Sequence, residues 1–322
     1  MKLKAIVDTV LKKRPIQSTE LSNDEKFDFK ESDILEIEEF SKAQFGHLKI
    51  VLANPIKGSK DWFVFERHIS IAGNLNIGVQ GADSAINVNS DLIVGGATRL
   101  LGGAKPAYWG RYFSGTDFSG FGEYKRREEN NILRRNNIRV LPIGRFTTRV
   151  GFGEREGDID GTDQALDFLA TFGEDYLQSQ GGEFYFFLDV EPSDPLSTEY
   201  YLGWSKAVIA SSPKIKMLPG VYLGSQDDQT STSLKQAMNR GAECHGLWIA
   251  RFDNRFRTPS IPIPPLEFDA FKAQPNTDVP CPVLFWQYAG EIGTRNDFDF
   301  NVSNPDVDFN ALLKRLVLPQ AI

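Results

Sequence analysis

From Val79 to the C-terminus the chain repeats one rhythm, a short apolar run followed by a segment with helical periodicity. Val79 to Asp83, Ala107 to Phe113, Ile138 to Phe146, Glu183 to Glu191, Met217 to Gly224, Gly246 to Phe252, Pro282 to Ala289 and Phe298 to Val302 read as strands. Glu123 to Asn137, Asp163 to Gln180, Ser197 to Ser211, Ser231 to Gly241 and Phe309 to Val317 read as helices. Strands that alternate with helices predict an α/β fold with a parallel sheet. The count, about eight strands in roughly 240 residues, predicts a (β/α)8 TIM-type barrel. The stretch from Phe252 to Pro282, with Pro259, Pro262, Pro264 and Pro265, reads as a long surface loop. Gly151 to Gly157 lacks phosphate-loop spacing and reads as a barrel loop.

The first 75 residues have a different rhythm. Thr9 to Leu11, Asp33 to Glu38, His47 to Leu52 and Trp62 to Phe65 alternate like short strands, with turn-rich pieces between them. They predict a small all-β barrel or sandwich. Ala72 to Gly78 has the composition of a linker, so two domains are expected, at 1–75 and 79–322.

Charge and cysteine content exclude several classes. Acidic and basic residues balance over the first 75 positions, so the net charge of −7 falls on the remainder. An acidic barrel is a poor partner for nucleic acid, which is held through clustered Lys and Arg. The basic residues Lys125, Arg126, Arg127, Arg134 and Arg135 alternate with Glu123, Glu128 and Glu129, as on a solvated helix face. No run of apolar residues is long enough to insert in a membrane. The N-terminus carries Asp8, Lys12, Lys13 and Arg14 where a secretory signal needs an apolar core, so no signal peptide is expected. Release by lysis, by loading into a particle or by a non-classical route would then follow cytoplasmic synthesis. Cys244 and Cys281 form no CxxC pair and read as buried free thiols. His47, His68 and His245 are too scattered for a metal site, and neither a metal nor a cofactor is expected.

The chemistry concentrates at Phe-Tyr-Phe-Phe-Leu-Asp-Val-Glu, residues 184–191. Side chains two apart on a strand share a face, so Asp189 and Glu191 project together, with Cβ atoms roughly 7 Å apart. Glycosidases work with carboxyl pairs about 5–9 Å apart. One protonated carboxyl supplies a proton to the leaving oxygen, and one ionised carboxylate stabilises positive charge on the sugar. Either acid could instead pair with Arg111 or Arg145, or cap the next helix.

The ordered set of Asp83 in the first barrel strand, Asp189-Val-Glu191, Pro219-Gly-Val-Tyr222, Leu247-Trp-Ile-Ala250, Phe285-Trp-Gln-Tyr288 and a late Asp-Phe-Asn resembles family 25 glycoside hydrolases, lysozyme-type muramidases. It is equally similar to related glycoside-hydrolase-like domains of unknown function. The stretch Thr9 to Ser18, with Trp62-Phe-Val-Phe65 before His68, resembles bacterial SH3-like modules, whose usual role is binding, often to peptidoglycan. The resemblance implies Glu191 as proton donor, Asp189 as nucleophile or stabiliser, and Asp83 and a last-strand acid completing the set. Asp299 is favoured for that last acid over Asp308, which could cap the final helix. Tyr222, Trp248, Trp286 and Tyr288 are candidate sugar-stacking rings. Arg111 is a candidate for holding an acidic ligand group or a carboxylate. Trp109 and Tyr112 face opposite ways, so at most one points inward. The first strand lacks the aromatic that usually follows its Asp in the muramidases, and Tyr108 to Phe113 is closer to the uncharacterised branch.

The function expected is therefore hydrolysis of a glycosidic bond in peptidoglycan or another glycan. The alternative is a wall- or glycan-binding protein without turnover, or a structural or effector component of a phage tail or contractile injection particle.

Overall fold

The structure is a computed structural model that describes residues 2–5, 7–31, 33–72, 78–115, 122–145, 149–252, 268–270, 272–293 and 297–322. The expected linker at 72–78 and the proline-rich stretch lie largely outside the described residues. The chain divides into two compact units, Met1–Leu75 and Asn76–Ile322.

In the first unit, β1 (Lys2–Ala5), β2 (Thr9–Lys12), β3 (Lys26–Phe29), β4 (Ile34–Lys42), β5 (His47–Ile56), β6 (Ser59–Phe65) and β7 (Ile69–Ala72) form one sheet. The order is β3-β2-β6-β5-β4-β1-β7, and all pairings are antiparallel. Alternation sets the buried face: Leu48, Ile50 and Leu52 of β5 pack with Trp62 and Val64 of β6 around Leu3, Leu11 and Phe29. The β5–β6 hairpin turns on Lys57 and Gly58, both with positive φ (49° and 75°), as a two-residue type I′ turn requires. The small SH3-like barrel expected from the sequence is not what forms. The sheet runs from β3 to β7, and those end strands do not pair with each other among the described residues. The four-residue strands β1, β3 and β7 are not among those expected from the sequence.

In the second unit, eight strands close into a barrel in the order β10-β11-β12-β13-β14-β15-β8-β9. They are β8 (Gln80–Asp83), β9 (Tyr108–Phe113), β10 (Arg139–Gly144), β11 (Glu183–Asp189), β12 (Lys216–Gly224), β13 (Gly246–Ala250), β14 (Val283–Ile292) and β15 (Phe298–Ser303). The described helices are α1 (Asp91–Leu100), α2 (Arg126–Arg135), α3 (Glu154–Phe172), α4 (Glu174–Ser179), α5 (Thr198–Ala210), α6 (Asp228–Asn239) and α7 (Phe309–Lys314).

This is a mixed barrel, not a helix-ringed (β/α)8 TIM barrel, and the expectation is corrected at β15. That strand runs antiparallel to both β14 and β8. Only residues 293–297 separate β14 from β15. A parallel return needs a crossover of a dozen residues or more, so so short a link can only make a hairpin. No helix lies between β13 and β14 among the described residues. The segment at 151–157, expected as a loop, opens α3 from Glu154 onward.

Two apolar layers follow from the alternation. Tyr185 and Phe187 of β11 point into the barrel with Tyr108, Leu141, Leu218, Trp248 and Phe285. Phe184, Phe186 and Leu188 point outward against the helices. Asp189 has the parity of Tyr185 and Phe187, so it too faces the interior.

Candidate active site

At the carboxyl ends of the parallel strands the apolar filling of the barrel gives way to acids. Asp83 ends β8 and Asp189 ends β11, while Asp299 is the second residue of the reversed strand β15 and so lies at the same end. Glu191 follows two residues after β11. These four carboxylic acids line one small cavity of about 40 Å³ with Tyr112, Ile143, Tyr222, Trp248 and Gln287.

Asp83 is buried to 2% exposure and is held from several sides. Its Oδ2 accepts from Asn301 Nδ2 at 2.7 Å and Gln287 Nε2 at 3.0 Å. Each donor is itself fixed: Trp248 Nε1 donates to Asn301 Oδ1 at 2.8 Å, and the Tyr222 hydroxyl donates to Gln287 Oε1 at 2.8 Å. Across the β8–β15 pairing Asp83 faces Asp299. The Glu291 amide, at a positive φ of 58°, donates to Asp299 Oδ1 at 2.6 Å.

Crowding acids away from water raises their proton affinity. Burial, and next the charge of Asp299, lift Asp83 well above the carboxylate range, against the pull of Asn301 and Gln287. Burial also raises Asp299, opposed by the Glu291 amide and by its hydrogen bond with Asp83. The two therefore share a proton. Asp189 is pushed up to about 7, first by burial and then by the charge of Glu191, with Arg145 opposing. Glu191 is solvent-exposed at the cavity mouth, yet the protein around its carboxyl raises it too, again against Arg145. Arg145 follows β10 and stacks on the Tyr112 ring at 4.2 Å.

Beyond Glu191 the surface opens into a groove of about 770 Å³, lined by Pro192, by Gly224 to Gln229 after β12 and by Ala250 to Phe252 after β13. Asp227 Oδ2 in this groove is buried without a hydrogen-bond partner among the described residues. No group of three or more His, Cys, Asp or Glu side chains is disposed to hold a metal ion among the described residues.

Of the residues singled out in the sequence, the structure brings Asp83, Asp189, Glu191, Asp299, Tyr222 and Trp248 to one cavity. Asp308 instead caps α7, accepting from the Asn310 and Ala311 amides at 2.9 and 3.2 Å. Trp286 and Tyr288 share a face, but it is the outer one. Trp286 Nε1 donates to the Arg251 carbonyl and the Tyr288 hydroxyl donates to Gln80, both in the core under the helices. Neither is a stacking platform for the site. Arg111 is fully buried and makes two bonds to Glu129, at 2.8 and 2.9 Å, so it positions α2 and not a ligand. Trp109 also points outward, with its Nε1 on Ser84, and Tyr112 is the inward ring. Gln287, Asn301 and Ile143 were not anticipated. Gln287 lies on the face opposite Trp286 and Tyr288, and Asn301 on the face of Asp299, but only the strand register makes that face the inner one.

No family model matches this chain, and no curated protein matches it. Two solved structures are similar. An uncharacterised protein of B. stearothermophilus is 20% identical over 74% of this chain and all of its own, with a TM-score of 0.55, a likeness of fold alone. The catalytic domain of an endolysin from bacteriophage P40 of Listeria monocytogenes is 16% identical over 75% of this chain and all of its own. Its TM-score of 0.42 is too low to carry an argument.

Proposed function

We propose that the second unit hydrolyses glycosidic bonds in peptidoglycan or a related glycan. The observation that carries this reading is the pair at the barrel mouth. Burial first, and then the charge of Glu191 beside it, push Asp189 up to about 7. Near neutral pH such a pair holds one proton between two carboxyls, the state in which one acts as acid and the other as base or nucleophile. Glu191, exposed at the mouth, reaches a leaving oxygen and donates the proton. Asp189, deeper and the resting holder of the pair's proton below about pH 7, becomes the carboxylate that faces the developing charge on the sugar carbon as that proton passes by way of Glu191 to the leaving oxygen. The shared proton of Asp83 and Asp299 keeps the floor of the cavity from carrying two adjacent full charges.

A cavity of 40 Å³ has room for a few waters and falls far below the roughly 300–1,000 Å³ of pockets that engulf a ligand. A glycan chain would cross its mouth and run along the 770 Å³ groove, with Gln226 and Asp227 meeting its hydroxyls. The deciding assay is release of reducing ends from purified peptidoglycan. Glu191→Gln and Asp189→Asn should each lower turnover by about 10²–10⁴-fold, the range for removing a positioned acid or base. Undiminished turnover in either variant overturns that residue's role.

The narrow cavity also favours a second reading, glycan binding without turnover, as in a wall-anchoring or particle component. Retention of the wild type on peptidoglycan with no product formed would select it.

A further inference from the structure

The first unit holds a cavity of about 560 Å³ with a buried amine in its wall. Lys12, at the end of β2, is 9% exposed. Its Nζ donates to the Ile16 carbonyl at 2.9 Å and contacts His47 Nε2 at 3.2 Å. The His47 ring has its proton on the other nitrogen, because Nδ1 faces only the carbonyl oxygens of Gln44 and Phe45, at 3.3 and 3.1 Å. Nε2 is then an acceptor, and the pair is an ammonium donating to a neutral imidazole. Two of the three ammonium hydrogens are used. The third has no acceptor among the described residues, and no carboxylate pairs with Lys12 there.

A buried cation with no counter-ion is costly unless an anion arrives. The nearby acids do not supply one. Asp8 is engaged elsewhere, its oxygens on the Glu31 amide at 2.9 Å and Lys30 Nζ at 3.1 Å, and Glu20 is exposed at the rim. Part of the remaining wall is aromatic. Phe65 lies edge-on between His47 and His68, with ring centroids 5.5 and 4.9 Å away. Phe45 stands 75% exposed at the mouth, on backbone with a φ of 56°. His68 is fixed by Thr9 Oγ1 at 3.0 Å. Thr9, Gln17 and Ser18 add polar groups to the same wall.

We propose that this cavity binds the free carboxylate of a short peptide, with the carboxylate on Lys12 and an adjoining apolar side chain against Phe65 and Phe45. The site is independent of the barrel and of the hydrolysis proposed for it, and a failure of either leaves the other standing. Its chemistry makes the first unit a reader of peptide termini, not of sugars.

The test uses the full chain and three probes: N-acetyl-Ala-Phe as the free acid, the same dipeptide as its C-terminal amide, and acetate. Amide NMR shifts are followed at Thr9, Lys12, His47, Phe65 and His68. The free acid should saturate these shifts about tenfold more tightly than the amide, the worth of one charge-assisted hydrogen bond. Acetate should bind more weakly than the dipeptide acid. Lys12→Arg should keep the preference for the acid and Lys12→Met should lose it. Equal binding of acid and amide, no saturable shift with either, or acetate matching the dipeptide acid would overturn the proposal. If Lys12→Met fails to fold, the acid-against-amide comparison on the wild type decides alone.

Discussion

Gly110 shows how closely the acids are fitted. It lies on the inward face of β9, and a Cβ there would stand 2.6 Å from Asp83 Cβ and 3.1 Å from the Trp248 ring. No side chain fits without moving Asp83 off its Asn301 and Gln287 donors. Gly110→Ala should therefore cost about 1–3 kcal/mol in stability, the usual range for overpacking, and should lower turnover by more than the stability loss explains. A thermal melt together with the peptidoglycan assay checks this. Unchanged activity at full folding would show that Asp83 need not be held where it is. At this scale the sequence exposed Asp83, Asp189, Glu191 and Asp299, because acids at the ends of apolar strands are conspicuous. It did not expose Gly110 or Asn301, whose importance lies in what packs against them from strands far away in sequence.

At the scale of elements, pairing of strands decides what single segments leave open. Trp286 and Tyr288 were legible as sharing a face. Which face points inward depends on the register of β14 with β13 and β15, and no local pattern carries that. The same pairing brings two distant cysteines together. Cys244 precedes β13, Cys281 precedes β14, and their Sγ atoms lie 3.2 Å apart. Both are free thiols and only partly buried, where the sequence led us to expect buried ones. Treatment with a small disulfide such as oxidised glutathione should convert the two thiols to an intrachain disulfide, the oxidant leaving as two reduced thiols. Closing a loop across 37 positions should stabilise the fold by about 3–4 kcal/mol through the unfolded chain. Thiol titration before and after oxidation, with melting curves, measures it. Two titratable thiols after oxidant, or a bridge that lowers Tm, would refute the expectation.

For the molecule as a whole, the acid cluster sets how stability responds to pH. Asp189 has a folded pKa of about 7 against an ordinary 3.8, so between these values the folded chain holds a proton that the unfolded chain releases. Stability must then fall as pH rises across that window, by up to about 4 kcal/mol from this group. Asp83 and Asp299 are shifted in the same direction and add to the slope. Denaturant midpoints should be higher near pH 5 than near pH 8 for the barrel transition. Asp189→Asn should flatten that difference, and a midpoint that rises toward pH 8 would contradict it. Hydrolysis, if it depends on the proton shared by Asp189 and Glu191, should decline above about pH 7 on the same titration.

The sequence by itself determined most of the alternation of strands and helices in the second unit, though not α1, together with the change of rhythm near residue 75 and the carboxylates at the strand ends, because these follow from local periodicity and residue chemistry. It also contained, in the five residues between β14 and β15, the reason the last strand turns back. The tertiary structure decided the mixed barrel in place of a (β/α)8 one, and the open sheet in place of an SH3-like barrel. It decided as well which aromatics face the acids and the shift in their proton affinity. These depend on contacts between residues more than two hundred positions apart, such as Asn301 and Gln287 on Asp83, and on the loss of water that closing the barrel imposes.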